Sequence, residues 1–319
     1  MEQKQSLTKC IVHTLRDTPH TQTVSINNLY NMSPNWLDKK EYPFKSKFFS
    51  INGNKIHYID EGIGETILFV HGTPSWSFDF RHIIKTISSE YRCIAYDHIG
   101  FGISDKPVNY DYSTINHTNN LNKLIDYLEL KNITLIVHDF GGPIGLNYAI
   151  NNHNNIKQLI IFNTWLWSSE NEPEFIKFKK ILKSPLLPFL YKFFNFSAKF
   201  LLPNSFNNKN VLTKNIKTHY TKPFSNSNER LGTIGFAKSL LNDQKWFDEL
   251  WDKKESIINK RTLFIWGMKD KFIHPKYLDK FKLNFNNHNS IEINDAGHFP
   301  QEEKSDLVAK SIYKWLNQN

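Results

Sequence analysis

The sequence has few cysteines and no apolar run long enough to span a bilayer. Its two cysteines, Cys10 and Cys93, lie far apart without a C-x-x-C spacing, which argues against a disulfide framework and a zinc site. We therefore expect free thiols, no bound metal and no cofactor. The N-terminus lacks the apolar core of a signal peptide, so we expect a cytoplasmic protein without a membrane span.

The chain also lacks a recognisable basic motif, although its formal net charge is +9. Lysines occur along the whole chain, among many asparagines, rather than in one uninterrupted run. None of the known nucleic-acid-binding motifs is present, so we expect no nucleic-acid partner. The sequence leaves the oligomeric state open.

Short apolar runs and helix-like segments alternate along most of the 319 residues. After a predicted hairpin around the turn "INGNK", six runs are typical of strands buried on both faces: "TILFVHG", "YRCIAYD", "ITLIVHD", "KQLIIFN", "RTLFIWG" and "NSIEIND". This alternation predicts an α/β fold with a mostly parallel, eight-stranded sheet flanked by helices.

Three segments are expected from the changes in composition. Residues 1–40 are polar and non-periodic, which predicts an N-terminal extension that is partly disordered. Residues 165–245 are far longer than a strand connection requires and are rich in phenylalanine, so we expect a helical cap inserted into the sheet domain. The core is then formed by residues 41–164 and 246–319.

The stretch "LIVHDFGGPIGL" predicts a buried strand, a sharp turn and a helix, with Asp139 at the turn. Gly141 and Gly142 permit the tight approach of strand and helix, and the helix N-terminus stabilises a negative charge there. An ionised carboxylate at this position can attack an electrophilic carbon directly. The alternative interpretation is a simple helix-capping aspartate.

Two further strand ends carry residues that complete a catalytic triad. Asp270 follows "LFIWG" and His298 lies in "NDAGHFPQEE" after the last strand, and a histidine base held by an acid is the usual pattern. The chain order nucleophile, acid, histidine is that of α/β-hydrolases. In "VHGTP", the backbone N–H of Thr73 is expected to form an oxyanion hole with that of Phe140.

These motifs, from about Trp36 to the C-terminus, resemble the α/β-hydrolase superfamily and specifically the haloalkane dehalogenases. The resemblance implies an α/β-hydrolase fold with an inserted helical cap, and the aspartate nucleophile shared with epoxide hydrolases. The sequence "VHD" before the turn is closer to the dehalogenases than to epoxide hydrolases. Some dehalogenases place the acid where this chain has Asn163, and others where Asp270 lies.

The chain departs from that family at both expected donors to a leaving halide. Phe140 has no side-chain N–H where the family has a tryptophan, and Thr73 offers a hydroxyl where some members have an asparagine. Losing one such donor costs a factor of about a hundred in rate. The candidates for substrate contacts are, for a halide, Trp76, Trp165 and Trp167 and, for an epoxide, the cap tyrosines Tyr191 and Tyr220.

The leading hypothesis is a hydrolase that forms an alkyl ester on Asp139, which His298 and water then cleave. A small apolar electrophile is the expected substrate, with halogenated alkanes first, since an aromatic cap favours a dry pocket. Epoxide hydrolysis and β-lactone processing are the alternatives within this chemistry. A non-catalytic ligand-binding relative is the alternative from another class.

Overall fold

The computed structural model describes residues 33–318 of the chain. Residues 1–32 of the predicted extension, and Cys10 with them, lie outside the described residues, and Cys93 is a buried free thiol. Across residues 33–318, none of the helices has the length and apolar character needed to cross a bilayer.

Eight strands form one sheet, and their order in space is β1-β2-β4-β3-β5-β6-β7-β8. β1 and β2 pair with each other, and β2 with β4, in antiparallel register, and the other pairs are parallel. The predicted mostly parallel sheet is therefore confirmed. The bounds are β1 Lys47–Ile51, β2 Asn54–Glu61, β3 Glu65–Val70, β4 Tyr91–Tyr96, β5 Ile133–Val137, β6 Ile156–Phe162, β7 Arg261–Gly267 and β8 His288–Ile293.

Helices cover both faces of the sheet and fill the connection between β6 and β7. The α-helices are α1 Arg81–Ile87, α2 Thr114–Tyr127, α3 Gly141–Asn151, α4 Pro173–Leu182, α5 Leu186–Phe194, α6 Leu202–Ser205, α7 Lys214–Thr221, α8 Leu231–Asn242, α9 Gln244–Asp252, α10 Lys276–Asn284, α11 Pro300–Glu303 and α12 Ser305–Leu316. A π-helical turn spans Ser197–Leu201, and 3-10 turns lie at Ser77–Phe80, His153–Asn155, Lys209–Val211, Lys222–Phe224, Asn228–Arg230 and Lys254–Ser256.

The hydrophobic core is divided by the sheet into two layers. Leu135 and Val137 of β5 belong to one buried cluster, whereas Ile136 between them belongs to the other. This division follows from the alternation of side chains along a strand and explains why β5 is apolar at nearly every position. A third, smaller cluster lies mainly in the predicted cap and comprises Phe175, Leu182, Leu187, Tyr191 and Ile234.

The chain path opens a crevice at the carboxyl ends of β3 and β5. These strands are parallel neighbours, yet β3 leads to β4 on one side and β5 leads to β6 on the other. Ligands of parallel α/β sheets bind where strand connections diverge in this way. The loop after β3 contains Thr73 and the turn after β5 contains Asp139, so both border this crevice.

Candidate active site

The turn between β5 and α3 holds Asp139 in an unusual backbone conformation. Its φ is +52°, a left-handed value that costs energy for a residue with a side chain. The turn is tight because a Cβ on Gly141 would lie 2.0 Å from the Val70 carbonyl oxygen, and one on Gly72 would lie 2.1 Å from Asp139 Oδ1. The glycines thus let the Asp139 carboxylate approach the loop after β3.

The Asp139 carboxylate is buried but ionised. Its Oδ1 accepts a hydrogen bond of 2.7 Å from the Thr73 N–H, and its Oδ2 lies 3.5 Å from His298 Nε2. Burial disfavours the charge, but His298, with help from the Thr73 N–H, holds the pKa of Asp139 below its ordinary value. A carboxylate in this state is ready to act as a nucleophile without a base.

His298 lies between two carboxylates. Its Nδ1 is 2.7 Å from Asp270 Oδ2. Burial would lower the pKa of His298, but the charges and hydrogen bonds of Asp270 and Asp139 raise it to about 10. The imidazole is therefore protonated while Asp139 is charged, and it becomes a stronger acid whenever that charge is removed.

Asp270 is held by four donors, which lie after β6, β7 and β8. Its Oδ2 also accepts from Asn163 Nδ2 at 2.8 Å, and its Oδ1 accepts from the backbone N–H groups of Phe272 and Ile273 at 2.8 and 3.0 Å. Asn163, in turn, accepts from the Gly267 N–H. At the strand end where some dehalogenases carry the acid, this chain thus has an amide that orients the acid on the next strand.

Two supporting contacts were not predicted from the sequence. His138, directly before Asp139, places its Nε2 2.8 Å from the carbonyl oxygen of His298, so it fixes the backbone of the histidine loop. Thr164 Oγ1 donates to the Asp139 carbonyl oxygen at 2.5 Å. In the sequence, His138 is next to Asp139 and Thr164 is next to Asn163, and both of these neighbours were already singled out at strand ends. This adjacency is the sequence signal that could have identified the two contacts.

A cavity of about 420 Å³ extends from Asp139 and His298 towards the predicted cap. Its lining is mostly apolar and includes two of the predicted substrate contacts, Trp165 and Tyr191. Burial raises the pKa of the Tyr191 hydroxyl, so it is neutral and can donate a hydrogen bond. Among the described residues, no group of three His, Cys, Asp or Glu side chains is placed to hold a metal ion.

The other three predicted contacts lie outside the cavity lining. The Trp76 indole donates to the His219 carbonyl oxygen at 2.9 Å, and Trp167 stacks on Tyr277. The Tyr220 hydroxyl oxygen lies 2.8 and 2.9 Å from oxygens of two buried carboxylates, Asp79 and Glu302, and donates its one proton to either of them. Each side chain already has a packing role there, so the structure does not bring Tyr220 together with Tyr191 as epoxide opening by two tyrosines requires.

The residue that follows Asp139, Phe140, has apolar surroundings. The Phe140 ring stacks on Phe236 with centroids 4.5 Å apart and planes 6° apart, and it packs edge-on against Trp165. Thr73 Oγ1 is buried and meets no hydrogen-bond partner among the described residues. The backbone N–H of Phe140 likewise meets no acceptor within residues 33–318, so it and the Thr73 N–H are suited to an oxyanion hole.

The site combines Asp139 in the turn after β5, Asp270 after β7 and His298 after β8. The family model described as alpha/beta hydrolase fold matches residues 65–305. The chain belongs to the α/β-hydrolase family. The family is enzymatic, and the predictions of this fold and of a hydrolase are confirmed.

Within this α/β-hydrolase family, the chain is similar to two kinds of curated relative. It is 31% identical to "Haloalkane dehalogenase 2" of Mycobacterium tuberculosis over 277 residues, which cover 86% of this chain and 96% of the relative. It is 34% identical to "Cis-3-alkyl-4-alkyloxetan-2-one decarboxylase" of Shewanella oneidensis over 286 residues, covering 86% and 89%. These relatives support the predicted dehalogenase-like hydrolase and do not favour the non-catalytic alternative.

Solved structures agree with this fold. A haloalkane dehalogenase from Agrobacterium tumefaciens superimposes with a TM-score of 0.76 at 24% identity, over 85% of this chain and 96% of that one. A putative ancestral haloalkane dehalogenase gives a TM-score of 0.77 at 22% identity.

Proposed function

We propose that this α/β-hydrolase cleaves carbon–halogen bonds of small apolar molecules through an ester on Asp139. The observation that carries the proposal is the ionised Asp139 carboxylate at the end of a mostly apolar cavity. It lies 3.5 Å from His298, which is itself hydrogen-bonded to Asp270. Substrate contacts come from Trp165 and Tyr191, which line the cavity. The helical cap over residues 165–245 is part of the proposal.

The first step is a displacement at carbon. An oxygen of Asp139 forms a C–O bond as the carbon–halogen bond breaks, and the halide departs with the electron pair. The negative charge of Asp139 disappears in this step. Since that charge helps to raise the pKa of His298, the imidazole then releases its proton more readily and becomes available as a base.

The second step is hydrolysis of the ester. His298 accepts a proton from water, and the hydroxide adds to the Asp139 carbonyl carbon. The Thr73 and Phe140 N–H groups stabilise the oxyanion that forms. Collapse of this intermediate releases the alcohol and restores the carboxylate, while Asp270 keeps the imidazole oriented throughout.

A strained β-lactone is a second candidate substrate, favoured by the apolar surroundings of Phe140. Phe140 itself offers no side-chain N–H to a halide that leaves beside Asp139. A lactone leaving group is a carboxylate, which spreads its charge over two oxygens and departs with relief of ring strain, so it depends less on such donors. This carboxylate can then leave as carbon dioxide: the electron pair of its C–C bond forms a C=C bond as the C–O bond to Asp139 breaks, which releases an alkene and restores the Asp139 carboxylate. The decarboxylase relative is named for an oxetan-2-one substrate of this type.

Trapping the ester tests the displacement. A His298→Gln variant retains the nucleophile but loses the base, so incubation with 1,2-dibromoethane should add one bromoethyl group to the protein, located on Asp139 by peptide mapping, with one bromide released. The matched control is His298→Gln combined with Asp139→Asn, which should remain unmodified.

Turnover distinguishes the two candidate substrates. Wild-type protein is incubated with brominated alkanes, with bromide measured, and separately with a cis-3,4-dialkyl β-lactone, with carbon dioxide measured. Bromide release above the Asp139→Asn background supports the first candidate, and carbon dioxide release alone supports the second. Absence of an adduct and of turnover with both classes would contradict the proposed chemistry.

A further inference from the structure

The positive charge of the chain originates from one segment. Residues 175–228 contain ten lysines and no Asp, Glu or Arg. The remaining residues contain 30 of the 40 Lys and Arg residues and all 31 acidic residues, so they are nearly neutral. Lysines do occur along the whole chain, but only in this segment are they without acidic neighbours in the sequence.

One face of α5, in the same segment, exposes large apolar side chains. Leu186, Phe189 and Phe193 follow helical spacing and are 56%, 48% and 56% exposed, and Phe194 beside them is 53% exposed. The rings of Phe189 and Phe193 lie 4.9 Å apart. We call these four side chains the α5 face. Contiguous exposed apolar surface of this kind marks an interaction site.

The opposite face of α5 is already used for packing. Leu187 and Tyr191 are buried in the third hydrophobic cluster, against Ile234 and its neighbours. The helix is therefore held in place by one side, and the exposed phenylalanines are not required for that packing. In the described structure, nothing assigned to the catalytic site accounts for them.

Three lysines lie close to the α5 face in the sequence. Lys183 precedes α5 and Lys199 follows it, and both are exposed. Lys192 lies on α5 itself, with its Nζ 5.8 Å from the centre of the Phe193 ring. Apolar side chains flanked by lysines, without acidic residues, are typical of helices that lie in the interface of an anionic membrane.

The composition favours a lipid surface over other partners. A second copy of this chain would bring two lysine-rich segments together, and their repulsion opposes such a dimer. For single-stranded nucleic acid, base stacking needs flat rings, whereas Leu186 and the nearby Ile181 are aliphatic. Acyl chains accept aliphatic and aromatic side chains alike.

Residues close to the α5 face in the sequence line the cavity. Ile181, five residues before Leu186, is 55% exposed and also lines the cavity that leads to Asp139. Leu201, the last residue of the π-helical turn, lines it as well. We propose that the α5 face and its lysines bind the surface of an anionic lipid bilayer, so that apolar molecules dissolved in the bilayer reach the cavity.

Vesicle binding tests this proposal with the full chain and without any substrate. Co-sedimentation with phosphatidylcholine vesicles, with and without phosphatidylserine, should show binding that requires the anionic lipid and weakens at high salt. Phe189→Ser with Phe193→Ser, and separately Lys183→Gln with Lys199→Gln, should each weaken binding by roughly tenfold or more. The lysine pair removes no packing, so it remains informative if the phenylalanine pair disturbs folding.

Matched controls use exposed residues outside the segment. Lys131→Gln with Lys310→Gln removes the same charge, and Leu283→Ser removes an exposed apolar side chain; both should bind as the wild type does. The proposal is overturned if the wild type does not bind phosphatidylserine vesicles, or if the controls lose binding equally. It is also overturned if the phenylalanine pair instead abolishes a dimer or binding to single-stranded RNA.

Discussion

The two ends of the cavity differ in how their side chains are held. At the sheet edge, Asp139, Asp270 and Asn163 have hydrogen-bond partners at fixed distances, and their positions follow from strand ends. Towards the proposed cap, the lining is mostly apolar, and the same segment contains a helix that leaves phenylalanines exposed. In the proposed mechanism the first region carries out the reaction, and the second selects the molecules that reach it. Changes at the sheet edge should therefore have the larger effects.

The largest effect is expected for Asp270→Asn. All four partners of the carboxylate are donors, so an amide must direct its own N–H₂ group against one of them. We expect ester hydrolysis to fall by about 10³–10⁴-fold, with the alkyl ester on Asp139 accumulating. Single-turnover kinetics with intact-mass detection measures both.

The matched control for this prediction is Asp295→Asn. Asp295 lies on the same loop as His298, is exposed and pairs with Lys304, so the same chemical change should leave turnover unaffected. Equal loss of activity in both variants would contradict a specific role of Asp270, as would an Asp270→Asn variant that turns over normally.

The second effect concerns stability at alkaline pH. The folded pKa of His298, about 10, lies above the unfolded value of about 6.5. The folded state thus binds more protons between these values, and the stability due to His298 is present below pH 6.5 and is lost as pH rises towards 10. Between about pH 6.5 and 9.5 the wild type should lose roughly 2–4 kcal/mol relative to His298→Gln.

Urea unfolding at both pH values measures this difference, because other titrating groups are common to the two proteins and cancel. Parallel pH profiles would contradict the ion-pair state of His298. A substitution that removes no titratable group, such as Leu201→Ala in the cavity lining of the proposed cap, should leave the pH profile unchanged.

The two regions also differ in what the sequence could predict. The strands and the positions of Asp139, Asp270 and His298 follow from apolar runs and the residues directly after them, since parallel strands bring their ends to one edge. Among the side chains predicted to contact the substrate, Trp165 lines the cavity whereas Trp76 does not. The direction of an indole in a connecting segment depends on tertiary packing, which no local pattern specifies. The same holds for the exposed α5 phenylalanines.

The smallest effect lies where the two regions meet, at Phe140. Phe140→Trp places an indole N–H beside the nucleophile, which should increase bromide release by about tenfold to a hundredfold. The larger ring must fit against Phe236, 4.5 Å away, at a cost of about 1–3 kcal/mol in stability. Phe140→Leu is the control without a donor and should show no gain.

Lactone opening relies less on this donor, so the rate of lactone opening by Phe140→Trp should rise little. An equal rise for both substrates would contradict the distinction between their leaving groups.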